Sequence, residues 1–183
     1  MENLTNWVID PSHSEIAFRV KHLMISRVKG VFGTYQAQVQ TNGDDFSTAS
    51  VNFTADTASI DTGDVNRDGH VRSADFFDCE KFPHLSFQGK GLTKVDGANR
   101  YAITGDLTIK GTTKPVTLNV TLEGVMKDPW GNLKAGVSVE GTINRKEFGL
   151  EWNTPLDGGG FLLADDVHIL CEVQLLKAET AAA

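Results

Sequence analysis

One stretch, residues 101–125, constrains the fold of this chain more than any other: YAITGDLTIKGTTKPVTLNVTLEGV. In its first arm Tyr101, Ile103, Gly105, Leu107 and Ile109 alternate with Ala102, Thr104, Asp106, Thr108 and Lys110. In its second arm Val116, Leu118, Val120 and Leu122 alternate with Thr117, Asn119, Thr121 and Glu123. Successive side chains of a strand point to opposite faces, so each arm has one dry and one wet face. Residues 111–115, from Gly111 to Pro115, read as the turn between them. The stretch is a long antiparallel hairpin, and its dry face needs a cover.

The same alternation recurs along the chain. A short strand at 7–10 ends at Pro11, and 14–22 places Ile16, Phe18 and Val20 on one face with His22 at its end. Residues 30–40 read as a single strand, with Val31, Gly33, Tyr35, Ala37 and Val39 on the dry side. Ala49, Val51, Phe53 and Ala55 form the dry face of the next, and strands follow at 85–92, 133–144 and 167–175. Residues 61–82 break the pattern: they are polar, carry Gly63 and Gly69, and end in Phe76, Phe77 and Phe82 before Pro83. This is a short helical insertion around 64–80, its phenylalanines turned inward. About eight main strands with no repeated helical crossover mean an all-β chain, an antiparallel sandwich or a closed barrel. The barrel is preferred, because eight strands can enclose one small ligand and closure removes exposed edges. One domain is expected over residues 1–183, with its core at about 7–176.

Charge and composition narrow the function. With 17 basic against 24 acidic residues the net charge is −7, which disfavours nucleic acid or an anionic membrane surface as the main target. No segment approaches the ~18 apolar residues of a membrane span, so no integral membrane segment is expected. The start, MENLTNWVID, lacks the basic and apolar regions of a signal peptide, which gives a cytoplasmic expectation. Cys79 and Cys171 are then expected as thiols.

Glycine inside a strand weakens it and usually has a steric reason. Gly33, Gly89, Gly105, Gly124 and Gly141 share the alternation of the apolar faces around them, as do Ala37 and Ala135. One reading is strand curvature. The other is empty interior volume, lined by Phe18, Phe53, Phe87, Leu107, Leu118, Leu122 and Val137. The two are compatible, and together they predict an elongated apolar pocket suited to a hydrocarbon chain, at ~0.8 kcal/mol per buried methylene.

Motifs for chemistry are sparse. Asp64 to Gly69 matches the opening of a calcium loop, D-x-N-x-D-G, but the twelfth position is Asp75 and the flanks are not paired helices. The alternative is a short helix capped by Asp64 or Asp61. None of His13, His22, His70, His84 and His168 sits in a metal-ligand spacing, and no G-x-S-x-G or reactive-cysteine context occurs. No catalytic or metal residue is therefore assigned, and a non-enzymatic role is expected. Arg27, Lys29, Arg145 and Lys146 lie near strand ends and read first as solvated surface charges; the alternative is that one or two of them reach a phosphate or carboxylate head at the pocket mouth.

Four blocks in order, WVIDPSHSEIAFRVKHLMISRVKGVFGTY, ASIDTGDVNRDGHVRSADFFDCEKFPHLSF, YAITGDLTIKGTTKPVTL and INRKEFGL, closely resemble the YceI-like family over residues 7–176. The resemblance implies an extended, lipocalin-like eight-stranded barrel with helical insertions. It implies binding of long-tailed amphiphiles, polyisoprenoids above all, in a homodimer without established catalysis. No cofactor is implied beyond a bound isoprenoid lipid; isoprenoid quinones, polyprenyl phosphates and fatty acid derivatives all fit. Carriage, storage or stress protection are the expected roles. The alternative is an enzyme acting on such a lipid through a buried histidine with Asp75 or Asp78. The candidate ligand-binding residues are Phe18, Val20, His22, Phe53, Phe87, Ile103, Gly105, Leu107, Leu118, Leu122, Val137 and Ile169 from the strands, with Phe76, Arg145, Phe148 and Trp152 from the connections.

Overall fold

Alternation becomes sheet along almost the whole chain. The computed structural model describes residues 3–179. Its strands are β1 (Leu4–Ile9), β2 (Glu15–His22), β3 (Ser26–Phe32), β4 (Tyr35–Asn42), β5 (Asp45–Asp56), β6 (Ile60–Asp61), β7 (His84–Lys90), β8 (Thr93–Asp96), β9 (Arg100–Ile109), β10 (Thr112–Lys127), β11 (Leu133–Asn144) and β12 (Leu163–Lys177), with the helix α1 (Val65–Arg72) between β6 and β7.

The strand order β1-β4-β5-β7-β9-β10-β11-β12 closes on itself through β1 and β12, giving an eight-stranded antiparallel barrel. Three barrel positions are each shared by two strands. β12 carries β1 on its last residues, with Ile9 opposite Leu175, and β2 on the earlier ones, with Ile16 opposite Cys171. β4 and β5 continue likewise into β3 and β6, which pair with each other. A 3₁₀ turn at Pro11–His13 interrupts the first position, where the Asp10 carboxylate accepts from the Ser12 N–H. Another at Thr57–Ser59 interrupts the third.

The sequence reading of 30–40 as one strand fails at Gly33 and Thr34. They form a break between β3 and β4, so the parity slips by one. Phe32, not Val31, enters the core at 7% exposure, and Gly33 is exposed. The hairpin turn is also shorter than expected. It is Lys110 and Gly111, both at positive φ (50° and 75°), and Pro115 lies inside β10 opposite Asp106. Pro115 precedes the part of β10 that pairs with β11, so its missing N–H costs no ladder bond there.

The helical insertion is one short helix followed by turns. Asp64 caps it, its carboxylate accepting from the Arg67 N–H at 2.8 Å. Asp68 is buried and accepts from the Thr62 N–H and hydroxyl. Arg72 donates to the carbonyls of Ala58 and Ile60 at 2.9 and 2.8 Å, tying the helix to the β5–β6 corner. The carboxylates of the calcium-loop-like run are thus committed to the fold.

Two apolar clusters fill the barrel unequally. One end is solid: Trp7 (0% exposed), Val39, Phe46, Ala49, Ala135 and Leu175 meet there. The Trp7 indole N–H donates to Thr41 Oγ1 at 2.9 Å, and its ring lies 4.9 Å from that of Phe46. The larger cluster, from Phe32 to Leu150, lines the wall toward α1 and leaves a hollow.

Candidate functional site

Inward side chains of a filled barrel are buried. Here Phe18, Val20, Phe53, Val137 and Ile169 have inward parity yet keep intermediate exposure. Their accessible surface faces an interior cavity of about 630 Å³. Its floor is the Trp7 end, where Ile9, Val39, Phe46 and Leu175 contribute. Its wall includes Phe18, Phe53, Phe87, Ile103, Leu107, Leu118, Leu122, Val137 and Ile169. Near α1 it is bounded by Val20, His22, Phe76, Arg145, Phe148 and Trp152.

Gly105 is the exception among the expected residues: it does not line this cavity. A Cβ there would strike the Gln88 carbonyl oxygen and come within 2.6 Å of Phe87 Cζ. The tip of the Phe87 ring occupies the space beside Gly105. The same device recurs. The Phe18 ring covers Gly30, Ile103 reaches within 2.8 Å of the Cβ position of Gly89, and Leu118 Cδ2 within 2.5 Å of that of Gly141. Gly124 sits at a bulge opposite Gly136, exposed, with nothing nearby. The inference of empty space at bare glycines is therefore corrected. Gly89, Gly105 and Gly141 let neighbouring large side chains lie along the wall instead of projecting into the lumen.

Polar groups gather at the α1 end. Asn66, Arg67, His70 and Val71 line the cavity from one side of α1, at the i, i+3 and i+4 spacings that share a helix face. Sequence reasoning treated this helix only as a capped insertion, although that spacing was visible. Asn66 and Arg67 are also solvent-exposed, so the cavity meets water here. His70 stands edge-on to Trp152, centroids 4.6 Å apart, and to Phe76 at 5.1 Å. His70 Nε2 lies 2.9 Å from Asp75 Oδ2.

Arg145 is the main electrostatic feature. It is 4% exposed and has no carboxylate within ion-pair distance among the described residues. Its Nε donates to the Ala164 carbonyl at 2.9 Å, and Nη1 donates to those of Leu150 and Trp152 at 2.6 and 2.9 Å. Nη2 is buried with no partner. Burial lowers its pKa from the ordinary arginine value, while the charge of Asp165 acts the other way. Guanidinium stays protonated in proteins, so Arg145, a lining residue of the cavity, is a buried charge with one nitrogen unpartnered. On β12, whose Ala164 carbonyl Arg145 holds, burial pushes the Cys171 thiol up to about 11.

The arrangement is an apolar tube, walled by a closed sheet and open at the end where the donors lie. The sequence pattern of the YceI-like domain matches residues 7–175. The chain belongs to the YceI-like family. A UPF0312 protein of Staphylococcus aureus strain N315 is 41% identical to this YceI-like chain over 96% of it and 100% of the relative. Among solved structures, BcnA of Burkholderia cenocepacia superposes with a TM-score of 0.77 at 26% identity, covering 91% of this chain and 98% of BcnA. A polyisoprenoid binding domain from Saccharophagus degradans has a TM-score of 0.68 at 13% identity, covering 94% and 98%, and shares the fold. No helix among the described residues is long and apolar enough to cross a membrane.

Proposed function

We propose that this YceI-like protein binds a long isoprenoid or similar single-chain amphiphile inside its barrel, as a carrier, store or protectant of that lipid. The tail runs toward Trp7 and the head stays at α1. The observation that carries this reading is the joint geometry of a continuous apolar cavity and a buried cationic side chain, Arg145, among its lining residues, with one guanidinium nitrogen left unpartnered. An apolar hollow alone would accept any hydrocarbon. A charged donor beside it favours a chain ending in oxygen acceptors, such as a phosphate, carboxylate or quinone carbonyl. The binding stated for the Saccharophagus domain, which shares the fold, supports the ligand class. The homodimer implied by family resemblance belongs to the same reading; exposed Met126 and Trp130 offer apolar area for it away from α1.

Native mass spectrometry of detergent-free protein is the test. A co-purified lipid, or one-to-one uptake of an offered prenyl alcohol, is expected. No bound lipid and no uptake would overturn the reading. An enzymatic reading has one observation in its favour, the His70–Asp75 pair beside Trp152 at the cavity end. It requires turnover of a prenyl ester or phosphate that His70→Ala abolishes; recovery of the ligand unchanged removes it.

A further inference from the structure

We propose that the tip joining β2 to β3 docks the protein on a lipid bilayer carrying anionic head groups and sets the barrel mouth against it. The inference rests on the lipid-binding reading above, since a membrane is where such a ligand resides.

The tip is built against local preference. The Ile25 N–H donates to the His22 carbonyl at 3.2 Å, closing a turn whose two central residues, Leu23 and Met24, have φ of 52° and 60°. Turns of this kind are dominated by Gly, Asn and Asp, because side chains clash in left-handed backbone. Here the strained positions hold large apolar residues that face water. Leu23 is 39% exposed, Met24 62% and Ile25 83%. Strain retained at an exposed site points to an interaction outside the fold.

The tip adjoins the cavity. His22 lines it, as does Leu162, whose carbonyl accepts from the Leu23 N–H at 2.8 Å. Two more exposed apolar side chains neighbour cavity-lining residues in sequence: Phe161 before Leu162, and Val65 before Asn66. Apolar side chains are therefore exposed on three segments that also line the cavity.

Behind the tip lies a cationic face. The register places Arg19 opposite Lys29 and Lys21 opposite Arg27, all exposed. Like charges directly across a ladder weaken it. Among the described residues only Lys29 of the four has a carboxylate partner, Glu15 at 2.6 Å. This patch opposes the chain's net charge of −7. An apolar tip for the acyl layer with cations one step behind it, at phosphate level, is the chemistry of an interfacial anchor. A protein partner could cover the tip, but the cations on the ladder behind it match a plane of phosphates.

The full chain would be pelleted with vesicles of phosphatidylcholine alone, or of equal parts phosphatidylcholine and phosphatidylglycerol, at low salt. The wild type is expected to bind the mixed vesicles roughly tenfold better. Met24→Asp/Ile25→Asp lowers that binding about tenfold, and Lys21→Glu/Arg27→Glu brings it to the phosphatidylcholine level. Leu23→Asn/Met24→Gly relieves the turn, so its melting temperature rises while docking is lost. Equal binding to both vesicles, no binding, or tip variants that bind as the wild type does would overturn the proposal. So would sedimentation showing a wild-type dimer that the tip variants dissociate. Prenyl alcohol uptake from an ethanol stock is measured in parallel, and the tip variants should load normally. Failure of every form to load would defeat the cavity reading while leaving the vesicle result to stand by itself.

Discussion

Arg145 illustrates how one side chain serves fold and site together. Three of its N–H bonds hold the carbonyls of Ala164, Leu150 and Trp152, the remaining Nη2 is buried without a partner, and the residue lines the cavity. Arg145→Met should leave those carbonyls without donors and cost about 2–4 kcal/mol of stability, measured by denaturant unfolding. In the surviving folded protein, prenyl phosphate should lose its advantage over prenyl alcohol in a competition assay. Arg145→Lys is no substitute, because a point charge cannot reproduce the fork. Cys171 makes the opposite case. With its thiol held at about 11, almost no thiolate exists at neutral pH. Native protein at pH 8 should react with iodoacetamide at Cys171 far more slowly than denatured protein, as read by mass spectrometry of the labelled peptide.

At the scale of elements, wall glycines and α1 carry separable predictions. Gly141→Ala meets only the end of the flexible Leu118 side chain, so it should displace that side chain, keep the fold and reduce lipid uptake. Gly105→Ala meets the Gln88 backbone and the Phe87 ring, so it should cost ~1–3 kcal/mol of stability in thermal unfolding. For α1, burial raises the Asp68 pKa, but the Thr62 hydrogen bonds and the charges of Arg72 and Arg67 outweigh it and hold it below the usual value. A depressed carboxylate stabilises above its unfolded pKa and loses that contribution as pH falls through the folded one. The melting-temperature gap between wild type and Asp68→Asn should therefore be steady near neutrality and shrink below about pH 4. The strands were legible in sequence because period-two alternation is local, and residues 133–144 were read with the bounds of β11. The β3–β4 break was not, because Gly33 and Thr34 slip the parity without interrupting the alternation of apolar and polar residues. Inward parity likewise placed Leu107, Leu118 and Ile169 on the cavity wall. It misjudged Gly105, whose role depends on a ring from a neighbouring strand. Arg67 and His70 were missed because the helix was read only as a capped insertion, and a polar helix face looks like a solvated one.

For the whole molecule, length selectivity follows from volume. About 630 Å³, at ~30 Å³ for each water-sized group, holds roughly twenty methylene-sized units. In calorimetry on a series of prenyl or alkyl chains, affinity should grow with length at up to ~0.8 kcal/mol per methylene. Beyond roughly twenty carbons it should level off. The unequal filling of the barrel carries a further consequence. The Trp7 end is a finished core, while the α1 half is built around space. The protein folds with part of its interior empty, and a lipid of the proposed kind would fill it. Ligand affinity and thermal stability are then two readings of one quantity. The unfolding temperature should climb with the logarithm of lipid concentration, each tenfold excess adding about 1.4 kcal/mol. Proteolytic nicking of the strands around the hollow should slow in step with it, so that the lipid decides how long its container lasts.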